Sequence, residues 1–179
     1  MNEVRTLADL ETALAQAGQS PRDGGRLVLI VRRPGVDERE AVKQAELTLE
    51  EGLAGDNWVS RDGAGCANFE RQLTLMNSRV IAVLAQDPAR WALAGDQLFV
   101  DLDLSEDNLP PGTRLAIGQA VLEVTALPHN GCAKFTARFG SDGTRFVNSP
   151  QGRREHRRGV NARVVQPGAI QVGDLIRKV

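Results

Sequence analysis

Arg114-Leu115-Ala116-Ile117-Gly118-Gln119-Ala120-Val121-Leu122-Glu123-Val124-Thr125 reads as two short strands joined by a two-residue turn. Gly118 comes first in that turn, which marks a type II′ hairpin, because glycine takes the required positive φ at no steric cost. Short apolar runs with Gly/Pro punctuation continue in both directions. Upstream, Arg26–Arg33 holds the unbroken run Leu27–Val31 and reads as a buried strand, ended by Pro34-Gly35. Ala41–Thr48 reads as a second strand, although its alanines and Glu46 also suit a helix. Gly52–Asp56 is a glycine loop without the GK[ST] ending of a phosphate loop, and reads as a barrel turn. Arg61–Ala67 is a further loop, and Gln72–Met76 a strand. Ser78 is placed to cap a helix over 79–86, and Asp87-Pro88 to stop it and start a short one through Trp91. Leu98, Val100, Leu102 and Leu104 alternate with Phe99, Asp101 and Asp103, predicting a strand or extended edge with a polar face. Downstream come a helix over 133–139, a polar loop over 140–149, a basic helix over 150–158 and strands at 160–165, 169–172 and 175–179. The sum is mainly β with inserted short helices, an α+β barrel or sandwich rather than a βαβ alternation.

Val4, Leu7, Leu10 and Leu14 recur at helical spacing and stop at Gly18. Residues 1–25 therefore read as a helix and linker attached to a main domain of residues 26–179. The helix suits either a cap on that domain or a homodimer contact. The 179 residues suit one domain. Net charge is −1 and Tyr is absent, which argues against a nucleic-acid partner that needs a basic field and stacking rings. No apolar run approaches the ~20 residues of a membrane span, and no apolar signal core opens the chain. A cytoplasmic protein with two free thiols, Cys66 and Cys132, is the expectation.

The chemistry concentrates after the hairpin, at Pro128-His129-Asn130-Gly131-Cys132-Ala133-Lys134-Phe135. A strand there opens through a loop into a helix, with Cys132 at the junction. Unpaired N–H groups in the first helical turn favour a thiolate. Lys134 and Arg138 add positive charge, and His129 a proton acceptor. Cys132 thus reads as a reactive or metal-binding thiol, against the competing reading of a small buried apolar side chain. Arg153, Arg154, His156, Arg157 and Arg158 form a basic run that suits a solvated helix face or, with Lys134 and Arg138, an anion site. Arg71, at a strand start, suits a site or an edge equally.

Taken in order, these segments resemble the MOSC domain, named for the C-terminal domain of molybdenum cofactor sulfurase. The resemblance runs over residues 26–179. It is densest at Gly55-Asp56, Arg71–Leu75, Leu102–Leu109, Leu115–Thr125, Cys132–Phe135, Arg138–Gly140, Arg158–Val164 and Gly168–Asp174. It implies a β-barrel like that of pyruvate kinase. Cys132 would be the sulfur carrier or the molybdenum ligand. Lys134, Arg138, Arg71, Asn161, Arg158 and His129 would hold an anionic molybdenum cofactor (molybdopterin), with the basic run at the mouth. Pyridoxal phosphate binding is implied by the same resemblance. The partners implied are a small anionic ligand or pterin and a sulfur-donor or electron-donor protein. The activity would be sulfur transfer or cofactor handling, alternatively molybdenum-dependent reduction of N-hydroxylated compounds. A non-catalytic anion- or partner-binding module is the remaining alternative. Gly131 replaces a frequent proline, Asp96-Gln97 replaces the usual Glu-Asn pair, and the sequence shows no additional N-terminal β-barrel domain of the kind usual in the reductases.

Overall fold

The computed structural model describes residues 5–61 and 67–179. Cys66 and most of the loop around it lie outside these residues, as does Val4. In chain order the elements are α1 (Leu7–Ala17), β1 (Gly25–Arg32), β2 (Glu40–Val42), β3 (Gln44–Thr48), β4 (Gly52–Leu53), α2 (Trp58–Arg61), β5 (Leu73–Asn77), α3 (Ser78–Ala85), β6 (Leu98–Asp101), β7 (Arg114–Ile117), β8 (Ala120–Val124), α4 (Ala133–Asn148), α5 (Pro150–Arg154), β9 (Val160–Gln166), β10 (Gly168–Gln171) and β11 (Leu175–Lys178). Short 3-10 segments cover Phe69–Arg71 and Pro88–Ala94.

Seven of the described strands close a barrel in the order β1-β11-β7-β8-β9-β5-β6 and back to β1. Every pairing is antiparallel except β5–β6. The hairpin forms as read: Ile117 pairs with Ala120, and Gly118 takes φ 54° while Gln119 stays outside the positive-φ region. Leu27, Leu75, Leu98, Leu115, Leu122 and Ile176 fill the interior. A second apolar layer of Leu10, Val31, Met76, Ile81, Phe99, Phe135 and Phe146 packs α1, α3 and α4 on the outside of the barrel. Strand β5 and the Leu98–Val100 part of β6 are thus covered on both faces, as are Ile30 and Val31 in β1, while Val28 in the same apolar run stays exposed.

That covering corrects the polar face expected on the strand from Leu98: Leu98, Phe99 and Val100 are all fully buried. The expected strand over 41–48 divides at Lys43. β2 lies on the flank of β1, while β3 joins β4 and β10 in a separate three-stranded sheet. Asn77, rather than Ser78, caps α3, its side chain accepting from the N–H groups of Arg79 and Val80 at 2.8 and 3.2 Å. The polar loop expected over 140–149 is instead the second half of α4, beyond a kink at Gly140 with φ 80°. Its polar residues cover one side while Phe146 and Val147 are buried on the other, and each such side chain contributes ~1.5–3 kcal/mol.

α1 opens with a capping box between Thr6 and Asp9 and packs on this chain's own helical layer through Leu10. Glu11 pairs with Arg157 at 2.6 Å, and Asp142 on α4 accepts from the Leu7 N–H at 3.2 Å.

One buried side chain joins the barrel wall to the loops above it. Gln97 Oε1 accepts from the Thr74 N–H and hydroxyl at 2.9 and 2.7 Å, and its amide donates to the Gln72 carbonyl at 3.2 Å. Gln97→Leu keeps the size and strands those buried groups, so we expect a loss of about 2–4 kcal/mol by urea unfolding. A loss under ~0.5 kcal/mol, the level of an ordinary surface change, would show the network to be dispensable.

Candidate functional site

Above the barrel end, α4, the residues after β1 and the loop into β9 enclose a cleft of about 520 Å³. Among the described residues six cationic side chains line it: Arg33, Arg39, Arg71, Lys134, Arg138 and Arg158. All seven site residues expected from the sequence, Cys132, Lys134, Arg138, Arg71, Asn161, Arg158 and His129, line this one cleft.

Cys132 is exposed and occupies the N-cap position of α4 in extended conformation, φ −111°. Burial pushes its thiol up, but the N–H groups of Phe135 and Lys134 and the charge of Arg158 outweigh it, so the pKa sits below the ordinary thiol value. Gly131, standing where a proline was expected, uses the N–H that proline lacks: it donates to Asn148 Oδ1 at 2.9 Å, and Asn148 Nδ2 returns a bond to the Gly131 carbonyl at 3.0 Å. A proline there would forfeit the first of these bonds.

Arg158 is 6% exposed. It donates to Asp96 Oδ2 at 2.6 Å and to the Ala94 carbonyl at 2.9 Å, and lies 4.9 Å from the centre of the Phe135 ring. Asp96 is fully buried and also meets His129 Nε2 at 2.9 Å. Burial pushes the Asp96 carboxyl up, but Arg158 and His129 hold it below the usual carboxylate range. A carboxylate only accepts, so His129 carries its proton on Nε2 and leaves Nδ1 as an acceptor. Burial, then Arg158, push the imidazole pKa down against the pull of Asp96, keeping it neutral at pH 7. Asn161 is buried and donates to the Leu127 carbonyl at 2.9 Å, tethering the loop that leads to His129.

The basic run does not form one anion-binding face. Arg158 alone of its members borders the cleft. Arg157 is buried against Glu11 and Glu155, and His156 Nδ1 bonds the Leu104 carbonyl at 2.6 Å. Arg153 and Arg154 stay on the exposed side of α5. Arg153 and Arg154 end α5, and the chain then turns at His156 (φ 47°) toward β9, so Arg157 and Arg158 point away from them and closeness in sequence does not make closeness in space.

Sequence reasoning missed Arg33, Arg39, Asp56 and the structural weight of Asp96. Asp56, assigned above to a plain turn, has a fully buried side chain that takes a two-pronged contact from Arg33 at 2.9 and 2.6 Å. The available signal was the Asp96-Gln97 pair, where adjacent polar residues precede an apolar strand.

Among the described residues no three His, Cys, Asp or Glu side chains gather as a metal cage. Cys132 offers one soft ligand, which suits a metal that brings its own chelator. Among the described residues Arg39 Nε and Arg158 Nε are buried without a hydrogen-bond partner, near a thiol whose pKa is lowered. These residues fit an anionic cofactor.

A family model of the MOSC domain matches residues 66–177. Among solved structures, the YuaD protein of Bacillus subtilis superposes with TM-score 0.62 at 17% identity, over 85% of this chain and 93% of its own. YiiM of Escherichia coli gives 0.56 at 20% identity, over 86% and 69%. YiiM of Geobacillus stearothermophilus gives 0.56 at 17%, over 87% and 75%. These likenesses show the fold. No protein of curated function matches the sequence. No described helix is long and apolar enough to cross a membrane.

A neutral buried imidazole makes stability depend on pH. The unfolded His129 takes up a proton as pH falls through ~6.5, while the folded one resists until lower pH. Its contribution is therefore complete above pH ~6.5 and is lost below, at up to ~1.4 kcal/mol per pH unit. His129→Gln should flatten this part of the stability curve in denaturant titrations between pH 7 and 5. Superimposable slopes in the two proteins would rule out the neutral assignment.

Proposed function

We propose that this chain, which belongs to the MOSC domain family, binds an anionic molybdenum–pterin cofactor in its cationic cleft, with the Cys132 thiolate as the reactive or metal-facing ligand. The observation that carries this reading is the conjunction at the N-terminus of α4. A thiol with a depressed pKa opens on a cleft whose lining, among the described residues, holds six cationic side chains against one carboxylate, Asp37. A cleft of about 520 Å³ falls within the ~300–1,000 Å³ of small-molecule and cofactor sites.

Each residue then has a part. Lys134, Arg71 and Arg138 meet anionic oxygens, and their long side chains bring charge without bringing a competing acceptor. Arg158 holds the first turn of α4 from beneath through Phe135 and, after the Phe135 and Lys134 N–H groups, helps to lower the Cys132 pKa. His129, fixed by Asp96, offers Nδ1 as a proton acceptor at the cleft wall. Asn161 keeps the loop before Cys132 in place. The bound cofactor would supply two-electron redox chemistry or accept sulfur. The protein's share is a thiolate held in a site that favours negative charge.

The depressed thiol also supports sulfur carriage by Cys132 as a persulfide, since a thiolate is the form that attacks the outer sulfur of a donor protein's persulfide and displaces the donor's thiolate. Both readings converge on one variant. Protein made in a molybdenum-replete host and purified without oxidation should contain molybdenum or a persulfide by metal analysis and mass spectrometry. Cys132→Ser should lose both signals, while Cys66→Ser keeps them. Retention of either signal in Cys132→Ser would remove Cys132 from that role, and absence of both from the unaltered protein would leave the binding-module alternative in its place.

A further inference from the structure

We propose that a second cavity, separated from the cationic cleft by the 127–130 loop, is a binding site for a small amphipathic acid: an apolar ring with a hydrogen-bond donor at one end and a carboxylate at the other. The proposal goes beyond the cofactor reading and rests on neither a metal nor Cys132.

Three observations carry it. First, the cavity has the size and lining of a small-molecule site. It measures about 360 Å³ and lies between α5, the start of β9, the 106–111 segment and the 124–130 stretch. Leu109, Val124, Val147 and Val160 border it and are buried. A mainly apolar lining with a few polar groups, at ~300–1,000 Å³, is what small ligands occupy. Residues 127–130 border both this cavity and the cleft, so the loop before Cys132 is their shared wall.

Second, two imidazoles border the cavity, each with one nitrogen fixed and the other open. His129 commits Nε2 to Asp96 at 2.9 Å. His156 Nδ1 lies 2.6 Å from the Leu104 carbonyl. A carbonyl only accepts, so Nδ1 carries the proton and the neutral ring leaves Nε2 as an acceptor. Among the described residues neither open nitrogen has a hydrogen-bond partner. His156 also holds φ 47°, a backbone region costly for a residue other than glycine. The Gly159 N–H donates to its carbonyl at 2.7 Å, which helps to fix it there. Strain of this kind gathers at ligand sites, and a ligand bearing an O–H or N–H would satisfy an open imidazole nitrogen.

Third, the cavity takes up the members of the basic run that the cleft leaves aside. Arg153 and Arg154 border it and are exposed, so they mark its mouth. Arg153 Nε donates to the Asn148 carbonyl at 3.0 Å, which orients the side chain. Among the described residues neither arginine has a carboxylate within 4 Å, and Glu106 is the one carboxylate that borders the cavity. Two guanidinium groups at the open end of an apolar cavity favour a ligand whose outer end is a carboxylate, the group their fork geometry matches.

The test uses 4-hydroxyphenylacetate as the probe, titrated into the isotope-labelled full chain near neutral pH and followed by amide NMR shifts. Saturable shifts are expected at Ala126, His156 and Val160, which border this cavity and not the cleft, and not at Arg39 and Lys134, which border the cleft alone. 4-Methoxyphenylacetate lacks the donor and should bind about tenfold more weakly. Tyramine carries a cation in place of the carboxylate and should bind at least about fivefold more weakly. Arg154→Glu should weaken binding of the acid several-fold, and Cys132→Ser should leave it unchanged. Circular dichroism checks that each variant is folded. Absence of saturable shifts, or shifts centred on Arg39 and Lys134, overturns the site. Equal affinity for the methyl ether or for tyramine, or unchanged affinity in Arg154→Glu, overturns the ligand class. Failure of molybdenum or persulfide retention, by contrast, bears only on the cofactor reading.

Discussion

The contact between Arg158 and Asp96 is the constraint on which the rest of the site depends. Neither side chain is more than 8% exposed, and the oxygen–nitrogen distance is 2.6 Å. Arg158 stands just before β9, Asp96 just before β6, and the second arginine nitrogen holds the Ala94 carbonyl at the end of the Pro88–Ala94 segment. One ion pair therefore ties two barrel strands to the layer above them. Burying two charges is expensive, and a pair in this position adds little net stability compared with apolar side chains. Removing one partner is another matter, because it leaves a lone buried charge at a cost of ~3–5 kcal/mol.

What the pair provides is a set of protonation states. Asp96 stays ionised because Arg158 and His129 surround it. His129 stays neutral because burial and Arg158 outweigh the carboxylate. Cys132 is pulled toward thiolate by the first-turn N–H groups and by the same arginine. A single guanidinium thus acts in one direction on a carboxyl, an imidazole and a thiol, depressing all three. It also underlies Phe135, so the charge that favours the thiolate and the ring that anchors its helix are in contact.

Much of the fold was legible in the sequence because barrel strands are short and their turns are chemically marked. Gly118 identified its hairpin by the φ it needs. The failures have a common cause in the second layer. Phe99 and the 140–149 segment were misread because α1, α3 and α4 cover a barrel face that alternation alone assigns to solvent. The candidate site was legible through local chemistry at Cys132; the family resemblance brought in Asn161 and favoured the site reading of Arg71, which its place at a strand start had left open. Arg33, Arg39 and Asp56 stayed hidden, since their meaning depends on β1 returning beside a loop 23 residues further on. The basic run misled for the converse reason: Arg157 and Arg158 are neighbours in sequence yet serve α1 and the cleft respectively.

The central claim is that the Cys132 thiolate stands in a field of positive charge built for an anion. Its most direct test compares the alkylation rates of Cys132 by iodoacetate, an anion, and iodoacetamide, its neutral analogue, in Cys66→Ser protein. The account predicts that iodoacetate is favoured, relative to a free cysteine peptide, and that this preference fades as salt is raised past ~0.1 M, where the Debye length is ~10 Å. A rate ratio equal to that of the peptide at every salt concentration would contradict it.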